Sequence, residues 1–77
     1  MRPDKEYRED IRITAEQLAG KVIGLDHQLA EYAIDTLGYK MRIVEVDGKH
    51  FVITMDLRRD RINLTITNGK VSKARVG

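Results

Sequence analysis

A helix whose two ends are both marked by its own residues is followed in this chain only by strand-like segments, and that order restricts the fold more than any other feature. Asp26 precedes His-Gln-Leu-Ala-Glu-Tyr-Ala-Ile-Asp-Thr-Leu, and Gly38 comes directly after it. An aspartate at the N-cap accepts from free N–H groups of the first turn, and a glycine past the last turn takes the left-handed conformation that closes a helix. Leu29, Ala30, Ala33, Ile34 and Leu37 then fall on one stripe, so a helix over about Asp26 to Leu37 is predicted. Tyr39 to Val46 is β-branched and partly alternating, and Asp47-Gly48 ends it with a tight-turn pair. Arg61 to Thr67 alternates cleanly, Asn68-Gly69 is a second turn signal, and Val71 to Val76 forms a short last strand. One helix before several strands predicts an α+β fold, a single helix packed on a small mixed sheet. Its expected core is Ile43, Ile62, Leu64, Ile66, Leu29, Ala33 and Leu37.

With 77 residues and no cysteine, the chain has room for one core and no disulfide to support it. Seven of the first ten residues are charged and Pro3 is the only proline, so residues 1–12 are expected to form a mobile charged arm and residues 13–77 the domain. Ile11, Ile13, Leu18, Val22 and Ile23 supply apolar side chains ahead of the helix. Gly20 and Gly24 suggest no more than a helical turn at Ala15 to Ala19 and a short extended piece at Lys21 to Ile23. No apolar run is long enough to cross a bilayer, so no membrane association is expected. The start lacks the apolar stretch of a secretory signal, an expectation that leaves a cytoplasmic protein or one secreted and processed. A monomer is expected.

The charges are unevenly placed. Residues 58–77 carry Arg58, Arg59, Arg61, Lys70, Lys73 and Arg75 against Asp60 alone, in a chain whose net charge is only +2. A basic C-terminal face suits an anionic partner, although six charges on a solvated sheet face need no partner at all.

Lys49 to Asp60, Lys-His-Phe-Val-Ile-Thr-Met-Asp-Leu-Arg-Arg-Asp, is the informative stretch. Phe51, Ile53, Met55 and Leu57 alternate with Val52, Thr54, Asp56 and Arg58, so periodicity alone reads it as a strand with Met55 and Leu57 in the core. Val-Ile-Thr-Met-Asp-Leu-Arg-Arg-Asp-Arg-Ile-Asn-Leu from Val52, with Arg-Val-Gly at Gly77, resembles the reactive-site half of the potato inhibitor I family, the eglin and barley chymotrypsin inhibitor type, with its bacterial and fungal elastase-inhibitor-like relatives. The resemblance begins at Leu18-Ala-Gly-Lys and covers most of the chain. It implies an extended protease-binding loop as the crossover between two parallel strands.

It also implies a serine-protease inhibitor with a substrate-like mechanism and a reactive bond between Met55 and Asp56. Met55 would be P1, Thr54 P2, Ile53 P3, Asp56 P1′, Leu57 P2′ and Arg58 P3′. A loop held in the bound shape avoids much of the ordering cost of binding. If the amine released on cleavage stays in place, religation competes with hydrolysis. In the family, arginines on the strand after the loop hold it by bonding to the P2 hydroxyl and the P1′ acid. Arg61 occupies the first such position, and a guanidinium fork suits that task better than an ammonium. The second carries Asn63, with Arg75, or the Gly77 carboxylate acting on Arg61, as candidate replacements for the missing charge. A methionine P1 points to subtilisin-, chymotrypsin- or elastase-like proteases with a hydrophobic S1 pocket as partners.

Three other readings compete. Nucleic-acid binding has the basic residues but only one Phe, three Tyr and no Trp for stacking, and Asp56 and Asp60 interrupt the arginines. An enzyme would have to draw on Ser72, His27 and His50 alone, so no catalytic residues are assigned. No histidine spacing suggests a metal, and no cofactor is expected. The remaining alternative is a non-inhibitory relative that uses the same scaffold as a binding module, with an anionic partner on the basic C-terminal face.

Overall fold

The computed structural model describes residues 13–77. The expected arm, residues 1–12, lies outside the described residues. Two helices, α1 (Ala15–Val22) and α2 (His27–Thr36), precede four strands, β1 (Lys40–Val46), β2 (Lys49–His50), β3 (Arg61–Thr67) and β4 (Lys70–Val76). The strands make one mixed sheet in the order β2-β1-β3-β4. The class is α+β as expected, but the single helix is corrected to two among the described residues.

The turn expected at Ala15 to Ala19 continues to Val22, and no extended piece occupies Lys21 and Val22. A capping box starts this helix. The Thr14 hydroxyl accepts from the Gln17 amide at 3.1 Å, and Gln17 Oε1 accepts from the Thr14 amide at 2.9 Å. Ala15, Leu18, Ala19 and Val22 then lie buried along one stripe. Gly20 sits on the exposed side, where its propensity cost of about 1 kcal/mol is outweighed by that burial.

Helix α2 has the predicted caps. Asp26 accepts from the Gln28 amide at 2.9 Å, and Gly38, at φ 86°, follows the last turn. Its buried residues are Ala30 and Ile34. Leu29 is 60% exposed and Leu37 43%, which corrects their expected place in the core, and Ala33 is only half-buried. The reason is α1. It packs on β4 and β3 and covers sheet that the single-helix reading had left to α2, so α2 needs only a narrow stripe.

Parallel β1 and β3 form the centre, with Met41 opposite Ile62 and Ile43 opposite Leu64. Ile62, Leu64, Ile66 and Val71 are buried with Leu18, Val22, Ala30 and Ile34, while Ile43 packs partly buried against them. Both hairpin turns have positive φ at each central residue, 49° and 86° at Asp47-Gly48 and 52° and 79° at Asn68-Gly69. That is the twist-matched two-residue turn such dipeptides favour. Asp47 Oδ1 accepts from the Asn68 amide at 2.8 Å and ties the two turns together. No helix among the described residues is long and apolar enough to cross a membrane.

Candidate functional site: the exposed segment between β2 and β3

Because β1 and β3 run parallel, the chain must return the full length of the sheet between them. Lys40, at the start of β1, lies opposite Arg61, at the start of β3, and the Lys40 amide donates to the Asp60 carbonyl at 2.7 Å. Two residues of β2 begin the return, and Phe51 to Asp60 complete it without regular strand pairing. Seven-residue strands are roughly 20 Å long. The returning segment therefore has length for an extended path but little for a compact one.

Alternation does not bury this segment. Met55 is 91% exposed, Leu57 87% and Val52 104%, so the strand reading with Met55 and Leu57 in the core is rejected. Phe51 and Ile53, less exposed, border a cleft of about 500 Å³ on the sheet face opposite the helices, shared with Glu45, His50, Asn63, Lys73 and Arg75.

The two residues flanking Met55 are tethered by their side chains. The Thr54 hydroxyl donates to Asp56 Oδ1, spanning Met55. Arg61 Nη2 donates to the Asp56 carbonyl at 3.0 Å, Nη1 lies 3.6 Å from Asp56 Oδ2, and Nε donates to the Gly77 carbonyl at 2.8 Å. The Gly77 amide donates in return to the Arg61 carbonyl at 3.0 Å. With its side chain only 12% exposed, Arg61 joins the loop to the end of the sheet. Arg58, the expected P3′ residue, turns away to Asp60, with Nε 3.2 Å from Oδ1.

Asn63 does not reach the segment itself. It is buried, and its Oδ1 accepts from Arg42 Nε at 2.8 Å. Arg42 Nη1 donates to the Thr54 hydroxyl at 3.1 Å. Arg75 is Asn63's partner on β4 but makes no side-chain hydrogen bond or ion pair among the described residues. Of the two side chains that hydrogen-bond to the segment from the sheet, Arg61 and Arg42, Arg42 was not among the expected site residues. The available signal was its place two residues into β1, opposite Asn63, which becomes visible only with the parallel register in hand.

The Asp56 carboxyl is held below its ordinary value of 3.8, chiefly by the Thr54 hydroxyl; desolvation opposes this, and the Arg61 charge adds a smaller lowering effect. A lowered folded value means that the ionised carboxylate favours the tethered loop. This contribution is complete above 3.8 and is lost as the pH falls through the lowered value. An NMR titration of the Asp56 side chain should show a midpoint below 3.8, with loop order constant at neutral pH and decreasing only in more acid solution. In Thr54→Val the midpoint should rise, and an unchanged midpoint would remove the hydroxyl as the main cause.

No group of histidines and carboxylates among the described residues is placed to hold a metal. Of the basic residues near the C-terminus, Arg58 is engaged by Asp60 and Arg61 by the loop, while Lys73 and Arg75 line the same cleft as Glu45. Comparisons with family models, with curated proteins and with solved structures give no match to this chain.

Proposed function

We propose that this chain is a protease-binding protein of the substrate-like kind, and more particularly a serine-protease inhibitor that presents Met55 as P1 and the Met55–Asp56 bond for slow attack. One observation carries the reading. The side chain between two tethered neighbours, Thr54 and Asp56, is almost fully exposed and apolar. An exposed methionine has no folding role to justify it, and fixed flanks lower the ordering cost of inserting it into a protease pocket. The resemblance to the potato inhibitor I family supports the same reading, through the order of the sequence from Val52 to Leu64.

Catalysis by the chain itself has no comparable support. His50 stands 3.6 Å from Glu45 on an exposed hairpin. An anionic partner on the basic C-terminal face is disfavoured by the local pairing of Arg58 and Arg61.

The test is direct. Incubated with subtilisin and with chymotrypsin, the intact chain should slow both enzymes, and the first cut should fall between Met55 and Asp56. Fast cleavage elsewhere, or no effect on either enzyme, would defeat the proposal. Burying a methionine in an apolar S1 pocket contributes about 1.5–3 kcal/mol. Met55→Lys should therefore weaken binding to these enzymes by roughly tenfold to a hundredfold and create affinity for trypsin, whose pocket is built around a carboxylate. Unchanged selectivity would show that another residue fills the pocket.

A further inference from the structure

We propose that Arg42, aimed by Asn63, is the second anchor of the loop: a positioning residue that reaches Thr54 from the neighbouring strand and completes a two-arginine support with Arg61. The functional part rests on the inhibitor reading above. The structural part rests on geometry alone.

The two guanidinium groups approach the segment from adjacent parallel strands. Arg61 on β3 takes the Asp56 side of Met55, and Arg42 on β1 takes the Thr54 side. The Thr54 hydroxyl is the link, accepting from Arg42 while donating to Asp56. A hydroxyl has one proton to give. An acceptor contact from Arg42 therefore leaves that proton for the carboxylate, and the chain Arg42, Thr54, Asp56, Arg61 runs in one direction with each donor matched to an acceptor.

Asn63 explains why Arg42 adopts this pose. Arginine offers donors only, so the amide must turn its oxygen toward Arg42 Nε, as it does at 2.8 Å. Asn63 itself has little freedom. It is only 7% exposed, and a Cβ placed on Gly77 would stand 3.1 Å from its Nδ2, so Gly77 packs closely over the amide. A buried, fixed acceptor removes rotamer freedom from a long side chain that would otherwise lose it on engaging the loop. The fork geometry matters too, since Nε is committed to Asn63 while Nη1 reaches Thr54, a division that a lysine ammonium cannot reproduce.

The experiment compares the parent, Arg42→Ala, Asn63→Ala and the double variant by two readouts. The first is the backbone order of residues 53–57 in the free protein by NMR relaxation, with the β3 amides as the internal control for folding. The second is the rate of cleavage after Met55 in the presence of subtilisin. Arg42→Ala should lower the order of Thr54 and Asp56 toward that of flexible segments while β3 remains rigid, and should speed cleavage by about tenfold or more, as expected for loss of a bond from a charged donor. Asn63→Ala should act in the same direction, but add little when Arg42 is already absent, because it works through Arg42. Arg42→Lys should not restore the parent behaviour. Unchanged loop order in Arg42→Ala, or fully additive effects of the two alanine variants, would overturn the proposal. If the parent inhibits no protease, the inhibitor reading fails, yet the order measurement still decides whether Arg42 anchors the loop.

Discussion

With the inhibitor reading, replacing Arg61 by alanine is expected to turn the loop into an ordinary substrate. Arg61 alone ties the Asp56 backbone, the Asp56 carboxylate and the Gly77 carbonyl together. A hydrogen bond from a charged donor is worth about 1.5–3 kcal/mol, so loss of even one corresponds to a cleavage rate some ten to a hundred times faster. Losing the set should place the effect at or above the upper end. Stability should fall as well, by about 1 kcal/mol or more, because the nearly buried side chain also closes the end of the sheet through Gly77. Arg61→Lys keeps the charge but serves one partner at a time, and should lie close to alanine in cleavage rate. The measurement is product formation between Met55 and Asp56 under excess subtilisin, set beside a thermal melt. A variant that melts lower but is cut no faster would mean that Arg61 supports the fold and not the loop.

The largest loss of stability should come from Leu64→Ala. Leu64 is fully buried on β3, between β1 and β4 and beneath the helical layer. Leucine-to-alanine changes at such sites cost about 2–5 kcal/mol, and small domains have only about 5–15 kcal/mol in total. Leu29→Ala makes the informative control, since Leu29 is 60% exposed and its loss should cost little. Urea unfolding of the two variants should separate them clearly, and equal midpoints would contradict the packing of α2 described above.

The β half of the chain was readable from local chemistry. Arg61 to Thr67 matches β3 residue for residue, and the Asp-Gly and Asn-Gly pairs sit at the two hairpin turns. Turns of this kind are set by the dipeptide itself, so no distant contact is needed to predict them. The helical half was only partly readable. Gly20 and Gly24 suggested interruption, while the stronger signal, Thr14 followed three residues later by Gln17, marks the start of α1 and outweighs the interior glycine. Overlooking that helix also displaced the expected core of α2, because which part of an apolar stripe faces the sheet depends on what else covers it. Met55 and Leu57 show the limit of periodicity, since alternation in an extended segment is the same whether its neighbour is a strand or solvent. Arg42 was illegible for another reason. Its relation to Asn63 is a matter of register between two strands far apart in sequence, and register in a parallel pair is fixed by packing rather than by a turn.

The parallel pairing of β1 with β3 also decides what a cut at Met55 would leave behind. The two pieces would not be strangers in solution. One would carry both helices, β1 and β2, the other β3 and β4, and the buried Ile62, Leu64, Ile66 and Val71 of the second pack against Leu18, Val22, Ala30 and Ile34 of the first. The new chain ends would remain at a high effective concentration, fixed by a shared hydrophobic interior and a ladder of inter-strand bonds rather than by a covalent link. A molecule nicked there would be a heterodimer already assembled in the geometry of its own precursor, with the two ends held near one another by the scaffold itself.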